Sequence, residues 1–165
     1  MKKILSTLVV LMLLCSCSDG EITPHLCGIS FKAEMLYYNE SYSFSGELSK
    51  DGDLTAEITA PEELSDLVIT ISDEGTTVNY KGLTYTPVEG TMPFSAMLEE
   101  FYNPIKAAID TGLTASGDGK LTVGSGADKA EFTLSPTGLP QRLELPDERF
   151  SVTFYNVSVK EDVND

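Results

Sequence analysis

The soft nucleophiles and metal ligands of this chain are few and crowd its N-terminus: Cys15, Cys17, Cys27 and the single histidine, His25. His25 and Cys27 stand two residues apart, which is too few ligands for zinc, since zinc takes about four. A Ser-His-Asp hydrolase would have to recruit His25, and that residue lies ahead of the first segment patterned as a folded element. Asp51 and Asp53 share the spacing that begins a calcium loop, but Thr55 and Glu57 do not continue it. Gly117-Asp118-Gly119 sits between strand candidates and reads as a turn rather than a phosphate cradle. The 26 Asp and Glu residues offer many carboxylate pairs of the kind a glycosidase uses, yet there is no tryptophan on which a sugar could stack. With 11 Lys and Arg the formal charge is −15, the wrong sign for a nucleic-acid partner. The residues point away from an enzyme, a metal site or a cofactor.

The cysteines make sense as an address. Lys2 and Lys3 precede an apolar run, Ile4 to Leu14, interrupted only by Ser6 and Thr7. As a helix this run spans roughly 16 Å, about half the hydrocarbon core of a bilayer, so it reads as a leader and not as a transmembrane anchor. Leu14-Cys15-Ser16-Cys17 resembles the lipobox of bacterial lipoproteins, with Leu at −3 and a small residue at −1. The resemblance implies cleavage after Ser16 and a diacylglycerol thioether on Cys17. Cys15 fits poorly as the modified residue, because Leu14 would then occupy −1. Several acyl chains on one residue give stable anchoring at about 0.8 kcal/mol per buried CH₂. Residues 1–16 are therefore expected as a lipoprotein signal peptide and 17–28 as a lipidated tether. Cys27 is then the last free thiol, so no intramolecular disulfide is available, and it is expected half-buried where the first strand starts.

From residue 29 the pattern alternates apolar and polar with period two, the mark of strands with one buried face. Ile29, Phe31, Ala33, Met35 and Tyr37 share one face, as do Tyr42, Phe44, Gly46 and Leu48. Leu54, Ala56 and Ile58 follow, then Ile69 and Ile71, and later Ala130, Phe132 and Leu134, and Phe150, Val152 and Phe154. Glycine-bearing turns at 50–53, 73–75, 81–82, 117–119 and 137–138 separate the runs at a spacing that predicts an antiparallel meander. The period changes once: Phe94, Met97, Leu98, Phe101, Ile105 and Ala108 recur at helical spacing. Asn103-Pro104 interrupts them, with Asn103 suited to cap a second helix, so a kinked helix or two short ones are expected over about 94–110. Pro61 to Asp66 could add one helical turn.

These elements predict an α+β fold, mainly antiparallel β, in which a curved sheet or incomplete barrel closes its concave apolar face with the kinked helix. A lone helix covers only part of such a sheet, so the sheet must curl around it. The trough between them could hold an acyl chain against Phe31, Met35, Phe44, Met97 and Phe101, or Phe31, Met35, Phe44, Phe101 and Phe154 could simply fill it with side chains.

The layout also resembles a known family. After the lipobox and the first hairpin come Pro61-Glu62-Glu63-Leu64, Leu67 to Ile71, Val78-Asn79-Tyr80-Lys81-Gly82-Leu83-Thr84-Tyr85, the helix, and Ser135-Pro136-Thr137-Gly138-Leu139-Pro140. The body, 29–159, is similar to small lipoproteins of Gram-positive bacteria with a fold like the Lol-type lipoprotein carriers. That resemblance implies a half-barrel whose trough binds acyl chains of lipids or lipoproteins, followed here by an acidic tail, 160–165. The expectation is a lipid-anchored protein on the extracytoplasmic face of the cell membrane, a non-enzymatic lipid- or lipoprotein-binding module. The alternative is an envelope protein–protein interaction module with a filled core and no ligand.

Overall fold

The structure, a computed structural model, describes residues 20–88, 93–126, 129–145 and 149–160. The expected signal peptide, Cys17 and residues 161–165 of the acidic tail lie outside them. The described strands form one antiparallel sheet: β1 (Ile29–Tyr37), β2 (Glu40–Leu48), β3 (Leu54–Ala60), β4 (Leu67–Ser72), β5 (Gly75–Tyr80), β6 (Leu83–Tyr85), β7 (Lys120–Val123), β8 (Ala130–Leu134), β9 (Pro140–Leu145) and β10 (Phe150–Val159). A helix, α1 (Pro93–Thr111), lies between β6 and β7, and a 3₁₀ turn at Glu62–Leu64 follows β3. The sheet order is β6-β5-β4-β3-β2-β1-β10-β9-β8-β7, two meanders joined where β1 pairs with β10. The expected antiparallel sheet with one amphipathic helix is therefore present, and the sheet is open, with β6 and β7 as its edges.

The alternation in the sequence becomes the two faces of this sheet. Ile29, Phe31, Ala33, Met35, Phe44, Leu48, Leu54, Ala56, Ile58, Ile69, Phe132, Val152 and Phe154 are all buried on one side, while Tyr37 and Tyr42 at the rim are half-buried. Three bulges bend the strands. Asn156 and Val157 of β10 oppose the single residue Phe31, with Asn156 left-handed at φ 50°. Thr59 of β3 and Gln141 of β9 are likewise extra residues against β2 and β8. Each bulge increases the local right-handed twist, and together they curl the sheet.

The helix shows how far the curl goes. Glu99 accepts a hydrogen bond from Thr76 Oγ1 of β5 at 2.7 Å, and the same helix packs against β7. Those strands are eight intervals apart in the sheet, about 38 Å if laid flat at about 4.8 Å per strand. A 19-residue helix is only about 28 Å long. One helix can touch both only because the sheet wraps toward it.

The helix runs through Asn103-Pro104 without a break. Pro104 forfeits the hydrogen bond to the carbonyl four residues earlier, at a cost of about 3 kcal/mol. Met97, Leu98 and Phe101 before it and Ile105 and Ala108 after it are all buried on the same apolar face. Full burial of Ile105 and Phe101 alone contributes about 3–6 kcal/mol, so packing outweighs the local break and Asn103 does not start a new helix. Gly112, at φ 60°, ends it.

The segment ahead of β1 differs from the expected free tether. Ile22 and Ala115 exchange two backbone hydrogen bonds, at 3.0 and 2.8 Å, and His25 N–H donates to the Gly138 carbonyl at 2.9 Å. Gly28 N–H donates to Ser49 O at 3.1 Å and its carbonyl accepts from Lys160 N–H at 2.8 Å. Residues 22–28 are thus docked on the domain. Gly138 allows this contact: a Cβ there would overlap the Thr23 carbonyl oxygen. Leu26 takes the inward position, at 3% exposure, and Gly28 at φ 64° turns the chain into β1. Cys27 is consequently exposed rather than half-buried.

Candidate functional site

The five residues expected to line an apolar trough come from three elements and all belong to the one buried core. Phe31 and Met35 point inward from β1, Phe44 from the neighbouring β2, and Met97 and Phe101 from α1. Phe31 is 3% exposed and the other four are 0–1% exposed. The rings are in contact: Phe31 and Phe44 centroids lie 6.1 Å apart in an edge arrangement, Phe44 and Phe101 5.6 Å, and Phe31 and Phe101 6.3 Å. Phe154 of β10 completes the cluster, 5.2 Å from Phe31 and 5.8 Å from Phe101. These separations are those of well-packed aromatic pairs. In this conformation Phe101 occupies the space between helix and sheet.

Gly46 shows how tightly the cluster sits on the sheet. It is the cross-strand partner of Phe31, and a Cβ built on it would overlap Cζ and Cε2 of that ring. The ring therefore lies directly over the β2 backbone, shielding a glycine that offers no side chain of its own.

The seam between the helix and the β4–β5 side of the trough is polar and partly open. A cleft of about 350 Å³ there is bordered by Ile71 and Thr76 of the sheet and by Glu99, Tyr102 and Asn103 of the helix. Two ties cross it. One is the Thr76–Glu99 hydrogen bond. The other is Lys106, whose Nζ lies 3.4 Å from Asp73 in the β4–β5 turn and 3.4 Å from Asp110 on its own helix. Desolvation works against the charge of Lys106, but Asp110 and Asp73 outweigh it and raise the pKa. Tyr102 forms the inner wall, and burial is the main cause of its raised phenol pKa. The periodicity in the sequence placed Phe101 and Phe154 on the inward faces, but Thr76 and Lys106 join the site only through folding. Nothing local marks a β5 threonine as the partner of a helix glutamate.

Larger free space lies elsewhere. About 480 Å³ opens on the outer side of the sheet between Leu36 and Asn39 on one side and Glu131, Glu144 and Arg149 on the other. Glu131 belongs to an exposed pair: Lys129 Nζ, hydrogen-bonded to it at 2.5 Å, holds its carboxyl below the usual range. A smaller cavity of about 160 Å³ separates Thr23, Pro24, Leu26 and Cys27 from the end of the helix at Ala108, Ile109, Gly112 and Leu113. His25 and Cys27 are both exposed, and among the described residues no three His, Cys, Asp or Glu side chains converge as a metal site. No helix among the described residues is long and apolar enough to cross a membrane. No family model matches the chain, and no curated protein is similar enough to count as a relative.

Proposed function

We propose that this protein is a membrane-anchored extracytoplasmic lipoprotein, acylated at Cys17, whose domain is a non-enzymatic module for binding a lipid or the acyl chains of another lipoprotein. In this reading the open curled sheet is an incomplete barrel like that of the Lol-type carriers, and α1 is its gate. The observation that carries the reading is that one helix, tied to the sheet rim by two partly exposed polar contacts, covers the apolar centre of the sheet. Such ties are weak, about 0–1 kcal/mol each. What holds the helix down is burial: Met97, Leu98, Phe101 and Ile105 together contribute about 6–12 kcal/mol. A chain of about sixteen methylenes laid in their place would contribute about 13 kcal/mol. The two are close enough for an acyl chain to exchange with the helix, entering along the Thr76–Glu99 seam.

A second reading has a specific observation behind it. Phe31, Met35, Phe44, Met97 and Phe101 are all buried in the one core, and the rings of Phe31, Phe44 and Phe101 touch one another. If α1 never lifts, the domain is an envelope interaction module with a filled core. Native mass spectrometry on residues 19–165, with lipid extraction, separates the two. A stoichiometric lipid adduct that disappears in Phe101→Asp, with the variant's fold checked by circular dichroism, supports the binding module. A clean apo mass that takes up no added phospholipid or acylated peptide overturns it in favour of the interaction module.

A further inference from the structure

We infer that the end of the domain where Ile22, Ala115 and Gly138 meet faces the lipid surface that anchors the chain, held there by a leash too short for any other end to take its place. The inference rests on acylation at Cys17. From Cys17 to Ile22 the chain has five residue steps, which cannot exceed about 18 Å even fully extended. Ile22 is fixed to the domain by its paired hydrogen bonds with Ala115. The opposite end of the domain carries the β1–β2 turn. Ser41 pairs with Leu36 there, seven residues along β1 from Ile29, or about 24 Å. With that end against the membrane, Ile22 would stand farther from the surface than the leash allows.

The near end also offers the membrane an uncharged surface. Three segments converge at the near end: 22–28, 112–117 and 134–141. None contains an Asp, Glu, Lys or Arg, in a chain that is 22% charged with a net charge of −15. Backbone contacts bring them together: Ile22 to Ala115, and His25 to Gly138. Their exposed residues include Thr23, Cys27, Leu113, Thr114 and Thr137. The charges bordering this patch are of both signs, with Lys50, Lys120 and Lys160 beside Glu21, Glu47, Asp51, Asp110 and Asp118. The opposite end carries Glu40, Glu62, Glu63 and Asp66 interspersed with Lys81, Lys129 and Arg149, so it presents charge of both signs. An anionic headgroup surface acts over a Debye length of about 8 Å, and these three segments bring no charge of their own for it to repel.

Energy transfer to the membrane tests this on the lipidated protein. Cys27 is the only thiol of the mature chain left free by acylation, so it takes a donor dye without substitution. The protein is placed in phosphatidylcholine vesicles containing phosphatidylglycerol and a trace of headgroup-labelled acceptor lipid. A Ser41→Cys, Cys27→Ser variant carries the dye at the far end, and Glu63→Cys, Cys27→Ser is a second far position should the first perturb β2. Transfer several-fold greater from Cys27 than from both far positions is expected. Equal transfer, or greater transfer from 41 or 63, on protein whose intact mass shows the acyl chains overturns the orientation and leaves the lipoprotein reading standing. A membrane-extracted protein without acyl mass at Cys17 overturns both.

Discussion

Replacing Gly46 with Ala sets two opposing effects against each other, and the structure decides the sign. Glycine inside a strand is less favourable than alanine by about 0.5–1 kcal/mol, through the larger entropy it loses on folding. On that ground alone Gly46→Ala should stabilise. But the new methyl would overlap two atoms of the Phe31 ring and stand 3.0 Å from a third, Cε1. The ring has no free direction of retreat, with Phe44, Phe101 and Phe154 centroids at 6.1, 6.3 and 5.2 Å. Overpacking of a filled core costs about 1–3 kcal/mol, so a net loss of about 1–2 kcal/mol is expected. At a typical urea dependence of about 2 kcal/mol per molar, the midpoint falls by about 0.5–1 M with an unchanged slope. Urea unfolding of residues 19–165 followed by tyrosine fluorescence reads it. In a Phe31→Leu background the clash is gone, and the same substitution should become neutral or stabilising, a coupling of about 1 kcal/mol or more. A stabilising Gly46→Ala in the wild-type background, or an identical loss in both backgrounds, would refute the account of a ring pressed on the β2 backbone and a trough filled by its own side chains.

Gly138→Ala should free the N-terminal segment, because Gly138 sits at φ 82° and its Cβ would overlap the Thr23 carbonyl; faster hydrogen exchange at the His25 amide, with β1 and β2 amides unchanged, is the expected signature. Cys27 should react with a thiol reagent in native buffer nearly as fast as in urea, since its side chain is exposed; a native rate slowed many-fold would contradict the docked geometry of residues 22–28. Lys129→Ala should raise the Glu131 pKa toward the ordinary carboxylate value, followed by NMR titration, and added salt should move the wild-type value the same way. Because the folded pKa of Glu131 lies below the unfolded one, its contribution to stability is present above the unfolded pKa and fades as pH falls through the folded one. The variant's stability should therefore differ from wild type at neutral pH and converge with it in acid.

Much of the fold was legible residue by residue. Alternation is a local property of an extended chain, so Ile29, Phe31, Ala33 and Met35 announce an inward face before any partner is known. The 3.6-residue spacing from Phe94 to Ala108 announces α1 in the same way. Glycines at the turns mark where the meander folds back. Other features depended on groups distant in sequence. No local signal pairs β1 with β10, more than a hundred residues away, and that pairing joins the two meanders into one sheet. Asn103-Pro104 reads as a helix boundary until burial on both sides of it is counted. Residues 22–28 read as a tether until Ala115 and Gly138 supply their hydrogen-bond partners. The candidate site shows the same division. Each of its five side chains could be assigned to the apolar face from spacing, but whether they enclose a space or fill it depends on how tightly the sheet curls. That curl comes from bulges opposite Phe31 and at Thr59 and Gln141, and from where Phe101 lands among Phe31, Phe44 and Phe154. Periodicity is carried by the covalent chain and can be read along it. Close packing is a relation among atoms that the chain brings together only once it has folded.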